Sequence, residues 1–141
     1  MMELIVGKKG KGKTKILLNK VNDVIKTSSG SVVYIDKSSK HMFELNNKIR
    51  LIDTSDFTLE NVDAFIGFIN GILSQDRDLD CIYLDSFLRV SRLEDESTNL
   101  HVALDALKTI GDKFNVTFVL SISADKQDIP EAYHENVVVA L

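Results

Sequence analysis

Apolar residues along this chain come in two patterns that alternate from the N-terminus onward. Short apolar runs mark strands, and apolar positions three or four apart mark helices. Leu4, Ile5 and Val6 read as a short buried strand. Ile16, Leu17, Val21, Val24 and Ile25 then recur at helical spacing and stop at Ser28, Ser29 and Gly30. Val32 to Ile35 reads as a strand ending at Asp36, and Ile49 to Ile52 as a further extended segment ending at Asp53. Thr58 is the expected N-cap of a second helix, whose inner face carries Leu59, Val62, Phe65, Ile66, Ile69, Ile72 and Leu73. The acidic turn around Asp76 to Asp80 closes that helix. Cys81 to Leu84 is the next strand, ending at Asp85, and Ser97 or Thr98 caps a third helix with Leu100, Ala103, Leu104, Leu107, Ile110 and Phe114 inward. Val116 to Leu120 and Val137 to Leu141 complete the strands, with the single proline, Pro130, in the turn between them. Alternation of this kind predicts an α/β fold in three layers, a mostly parallel sheet with helices on both faces.

Length and composition narrow the class. At 141 residues and 44% hydrophobic, the chain reads as one domain spanning 1–141, large enough to build a core unaided. With one cysteine, Cys81, it has no intramolecular disulfide framework, and that thiol is expected to pack in the sheet as a small hydrophobe. His41, His101 and His134 have no metal-ligand spacing. No apolar run approaches the ~18 residues of a membrane span, and with no basic-then-apolar leader the expectation is a cytoplasmic protein. Gly67 and Gly71 on the second helix are expected to allow close packing on the sheet, and Asn19, Lys20 and Asn22 to form the polar face of the first helix.

The net charge of −4 conceals a divided chain. Residues 1–50 carry 11 Lys and Arg against 4 Asp and Glu, whereas residues 51–141 carry 6 against 17. Lys8, Lys9, Lys11, Lys13 and Lys15 concentrate the positive charge between strand and helix, interleaved with glycine. That placement invites an anionic ligand. Gly7, Lys8, Lys9, Gly10, Lys11, Gly12, Lys13 and Thr14 fit GxxxxGK[ST] at every specified position, in the context strand, glycine loop, helix. Glycines let backbone N–H groups turn toward one anion, and the helix N-terminus adds partial positive charge. Lys13 is placed to reach β and γ phosphates and Thr14 to put its hydroxyl on Mg²⁺; Lys15 extends the basic stretch.

These eight residues resemble the Walker A motif of the P-loop nucleoside triphosphatases. The resemblance implies a second motif, an apolar strand ending in the Asp that holds a magnesium-bound water, and Cys81, Ile82, Tyr83, Leu84, Asp85 is similar to it. Another strand with its own crossover intervenes between the two motifs, as in the RecA-like (ASCE) branch. Val32 to Asp36 looks like the second strand of that branch, Asp85 and Ser86 its Walker B pair, and Phe118 to Ser121 its fourth strand, ending in a residue that senses the γ-phosphate. The resemblance thus implies a minimal single-domain member of that branch, binding ATP or another nucleoside triphosphate with Mg²⁺. The chain departs from the pattern where a catalytic glutamate belongs, reading Ser38 and Ser86 there, with Asp36 the nearest substitute. It also stops at Leu141, before the further strands of RecA-like proteins.

Three other readings compete. A GTPase is suggested by Asp125, Lys126, Gln127, Asp128, but Asp stands where the NKxD motif has Asn, and no glycine follows Asp85 at the DxxG spacing. The tetrad reads better as a solvated acidic loop. A small-molecule kinase is suggested by the spacing of Gly7, Gly10 and Gly12, yet such enzymes need arginines, and only Arg77, Arg89 and Arg92 follow residue 50. Arg89 and Arg92 read as surface charges, or as an arginine offered to a neighbouring subunit. The third is a non-hydrolysing nucleotide-binding switch or assembly subunit. The expected partners are therefore the nucleotide and a homo-oligomer or protein partner supplying an arginine. Nucleic acid is weakly supported, because the phosphate loop uses most of the basic excess.

Overall fold

A computed structural model describes residues 1–94 and 99–141. Six strands run β1 (Met2–Val6), β2 (Ser31–Asp36), β3 (Arg50–Asp53), β4 (Leu79–Leu84), β5 (Thr117–Ile122) and β6 (Val137–Ala140). Among the described residues four α-helices accompany them, α1 (Lys13–Val24), α2 (Val62–Gln75), the single-turn α3 (Phe87–Val90) and α4 (Leu100–Phe114). The sheet order is β3-β2-β4-β5-β1-β6, and every pairing is parallel.

Alternation along the strands divides the apolar residues into two cores. Ile5, Val32, Tyr34, Cys81, Tyr83 and Val119 pack with Leu17, Leu18 and Val21 of α1 on one face. Leu4, Val6, Val33, Ile35, Ile82, Leu84, Phe118 and Leu120 pack with Phe65, Ile69, Leu104 and Leu107 of α2 and α4 on the other. Because both faces are covered, the central strands are apolar at nearly every position, which is why they appear as continuous runs. Cys81 is buried, and burial pushes its thiol up to about 12. Among the described residues no helix is long and apolar enough to cross a membrane.

Several boundaries differ from the sequence expectations. Helix α2 begins at Val62 with Asn61 as N-cap, its Oδ1 accepting from the Ala64 amide at 2.9 Å, so Thr58 is not the cap. Leu59 precedes the helix yet is buried. Asp80 belongs to β4 rather than to the turn after α2. The expected caps Ser97 and Thr98 lie outside the described residues. Phe114 is exposed at the end of α4, where Lys113 Nζ sits 5.5 Å from its ring centroid, so the inward face ends at Ile110. Gly67 and Gly71 are also exposed, and a Cβ on either would meet nothing within 4 Å. They provide no close packing. Asn22 is more than a solvated residue, since its side chain donates to Glu44 O at 2.8 Å and accepts from Asn46 N at 2.8 Å, tying α1 to the β2–β3 connection.

Candidate functional site

The parallel sheet brings the C-terminal ends of β1, β2, β4 and β5 to one edge, and α1 begins there. Residues 7–12 link β1 to α1. Gly10 and Gly12 have φ of 85° and 94°, a left-handed conformation that a side chain disfavours. Gly7 is confined by proximity, because a Cβ there would lie 2.9 Å from Leu141 Cβ. Gly12 caps α1 without a side-chain hydrogen bond, and the first turn holds no acidic residue. The helix therefore begins with amides that no capping side chain satisfies, an arrangement suited to an anion.

Of the loop and helix-entry lysines only Lys13 is buried, at 8% exposure. Its Nζ donates to Lys8 O at 2.9 Å. Burial lowers its pKa, and the nearby Asp85 opposes that shift. Lys9, Lys11 and Lys15 are exposed, and Lys8 Nζ stands 3.8 Å from Asp125 Oδ2. Lys15 lines a cleft of about 530 Å³ with Thr14, Asn22, His41 and Glu44.

Asp85 is the centre of the site. It follows the last residue of β4 and is 2% exposed. Its Oδ1 accepts from Thr14 Oγ1 at 3.2 Å, Ser86 N at 2.9 Å and Ser121 Oγ at 2.7 Å; its Oδ2 accepts from Tyr34 Oη at 2.9 Å. The pleat explains the convergence. Tyr34 and Ser121 lie on the α1 side of the sheet with Val32 and Val119, two residues earlier in their strands, and Asp85 follows Tyr83 in the same way. The register then brings β2, β4 and β5 level, with Tyr34 opposite Tyr83 and Tyr83 opposite Val119. Thus Lys13, Thr14, Asp85 and Ser121, singled out from sequence, meet in one place.

Asp36 ends β2 on that same side and is also 2% exposed. Its Oδ1 accepts from Lys37 N at 2.7 Å, while Oδ2 is buried with no hydrogen-bond partner among the described residues. Burial, and then the charge of Asp85, raise its pKa. Ser38 is half-buried and Ser86 adopts a left-handed φ of 53°; each puts a hydroxyl, not a carboxylate, where the resemblance places the catalytic glutamate.

Tyr34 is the member of the site that the sequence reading missed. Its signal was its spacing from Asp36, which puts the phenol on the same side of β2. Burial, and then Asp85, push its hydroxyl well above its ordinary pKa, so it stays a neutral donor. Thr54 was also missed; it is buried and donates to Asp36 O at 3.3 Å.

Around the glycine loop lies a cavity of about 180 Å³, lined by Gly10, Gly12, Lys13, Thr14, Asp85 and Ser121 among others. A larger cleft of about 570 Å³ adjoins Lys8, Asp125 and Asp128. The tetrad is a solvated loop as expected, with Lys126, Gln127 and Asp128 exposed in a short 3₁₀ turn, and Asp125 and Asp128 border that cleft. Arg92 Nε donates to Leu59 O at 2.6 Å, which ties that guanidinium to the backbone ahead of α2. Oxygen donors on Thr14 and Asp85, with the unpartnered Asp36 Oδ2 nearby, suit a hard divalent cation that keeps most of its water. In sequence, the chain matches no protein-family model and no curated protein.

Proposed function

We propose that this protein is a magnesium-dependent nucleoside triphosphate-binding protein, ATP being its expected ligand, with a RecA-like P-loop core and slow hydrolysis. The observation that carries the reading is the Thr14–Asp85 contact beside a glycine loop whose lysine is buried. A generic basic loop has no reason to bury Lys13 or to join its helix to a carboxylate two strands away. The strand order supports the same branch, since β5 separates β1 from β4.

In this reading the loop amides and the N-terminus of α1 hold the phosphates, and Lys13 leaves Lys8 O to pair with their terminal oxygens. Thr14 and Asp85 hold Mg²⁺, Asp85 through water, and the ion would neutralise charge across the β and γ phosphates. Ser121, already bonded to Asp85, links the metal-holding carboxylate to the end of β5, where a γ-phosphate would be sensed. Asp36 is the only buried carboxylate besides Asp85 among the described residues. Its short side chain makes it a weak substitute for the missing glutamate, and turnover is expected to be slow.

Calorimetry of ATP and GTP binding with and without Mg²⁺, followed by phosphate release on the same sample, tests the reading. Magnesium-dependent triphosphate binding supports it; no binding of either nucleotide ends it. Phosphoryl transfer to a small acceptor without net hydrolysis would move the assignment to a kinase.

A further inference from the structure

The sequence leaves the arginines unassigned, and the fold separates them. Arg92 is held at Leu59 O, whereas Arg89 lies one turn past Asp85 and is exposed. The left-handed turn at Ser86, with φ of 53°, redirects the chain from β4 into α3, and Arg89 N donates back to Ser86 O at 2.9 Å. A non-glycine residue in this conformation is strained, and it is held here by Ser86 N donating to both Asp85 Oδ1 and Ser121 Oγ. The same network that fixes Asp85 therefore fixes the start of the helix bearing Arg89.

Arg89 lines a cavity of about 220 Å³ with Lys9, Lys37, Ser86, Leu88 and Glu94. That cavity shares Lys9, Lys37, Ser86 and Ser123 with the cavity around the glycine loop, so the two form one trench. Lys37 follows Asp36 directly and enters the trench from the end of β2. Lys9, Lys13, Lys37 and Arg89 make no ion pair with any described carboxylate. Four cations against the carboxylates of Glu94 and Asp85 leave the trench net positive, which favours an anion that extends beyond the part of the ligand held by the loop.

We infer that Arg89 and Lys37 bind the terminal phosphoryl group of the nucleotide from within the same chain, distinguishing triphosphate from diphosphate. This rests on the triphosphate reading and deepens it. No neighbouring subunit's arginine is then required, and Arg89 supplies charge to stabilise transfer from a helix anchored to Asp85. Among the described residues the shortfall is then in the base, for which Asp36 is the nearest substitute, and not in the arginine.

The test compares calorimetric binding of a non-hydrolysable ATP analogue and of ADP, both with Mg²⁺, to the wild type and to Arg89→Ala and Lys37→Ala. Both side chains reach solvent, so the variants retain the core. Each variant should bind the triphosphate analogue at least ~10-fold more weakly, the loss of one charge-assisted contact, with ADP affinity changed less than ~2-fold. Arg89→Lys should recover part of the loss, because Arg gives a bidentate fork that Lys cannot. Unchanged analogue binding in both variants, or equal losses for analogue and ADP, overturns the inference while leaving the triphosphate reading intact. Failure of the wild type to bind either nucleotide removes both.

Discussion

Replacing Asp85 separates a metal-holding role from a structural one, because two substitutions damage the network differently. Asp85→Asn is isosteric. The amide oxygen can keep the bonds from Thr14, Ser86 N and Ser121, and the amide NH₂ can donate to Tyr34 Oη, which then acts as acceptor. Charge-assisted bonds become neutral ones, a loss of about 1 kcal/mol each. Against that, a buried charge is removed, a gain of similar order or larger. Net stability should move by no more than about 2 kcal/mol. Asp85→Ala instead leaves the hydroxyls of Thr14, Tyr34 and Ser121 without that acceptor; the part-buried Thr14 can turn to water, the buried Tyr34 and Ser121 lose about 1 to 3 kcal/mol each, and Ser86 N keeps only Ser121 Oγ. A loss of about 2 to 6 kcal/mol follows, or roughly 8 to 24 °C in Tm at about 4 °C per kcal/mol. Calorimetric melting of both variants, with ATP titrations in the presence and absence of Mg²⁺, provides the two readouts. Asp85→Asn should melt close to the wild type and bind magnesium-free nucleotide nearly as well, yet lose the strengthening that Mg²⁺ gives. An Asn variant whose metal dependence is intact would make Asp85 a structural strand end, and the argument from the Thr14 contact would fail.

Three further outcomes are expected. Lys13→Ala should weaken triphosphate binding by ~10- to 100-fold, and Lys8→Ala, whose amine faces Asp125, and the exposed Lys9→Ala by clearly less; equal losses in all three would mean a diffuse basic patch. The purified protein should turn ATP over well below ~1 s⁻¹, with Ser38→Glu raising the rate by restoring a base beyond β2; brisk turnover by the unmodified protein would refute this, and its loss in Asp36→Asn would identify Asp36 as the base. Burial and Asp85 raise the Asp36 pKa above its ordinary 3.8, so the folded state keeps that proton to higher pH than the unfolded state does. Wild-type stability relative to Asp36→Asn should therefore fall as pH rises from about 4 through the raised value, and denaturant unfolding of both proteins across that range checks the sign.

The sequence by itself determined the alternation of strands and helices, the glycine loop and the two carboxylates that end β2 and β4. Each is written locally. Apolar runs buried on both faces are continuous, helix faces repeat at 3.6 residues, and a loop that must take positive φ at residues 10 and 12 needs glycine there. Helix starts were less legible, because Thr58 and Asn61 are both competent caps and only the packing of Leu59 ahead of α2 decides between them. Nor did Phe114 announce its exposure, since its spacing from Ile110 continues the helical pattern although the buried face has already ended. Tertiary structure alone decided that β5 lies between β1 and β4, and so that Ser121 meets Asp85. It also put Tyr34 on the far oxygen of that carboxylate, held Arg92 to the backbone, and left Arg89 facing the trench. These pairings join residues 33 to 51 positions apart, and no local pattern records them. They arise because a parallel sheet sets distant strand ends side by side, and strand order and register, not spacing along the chain, choose which side chains share an edge.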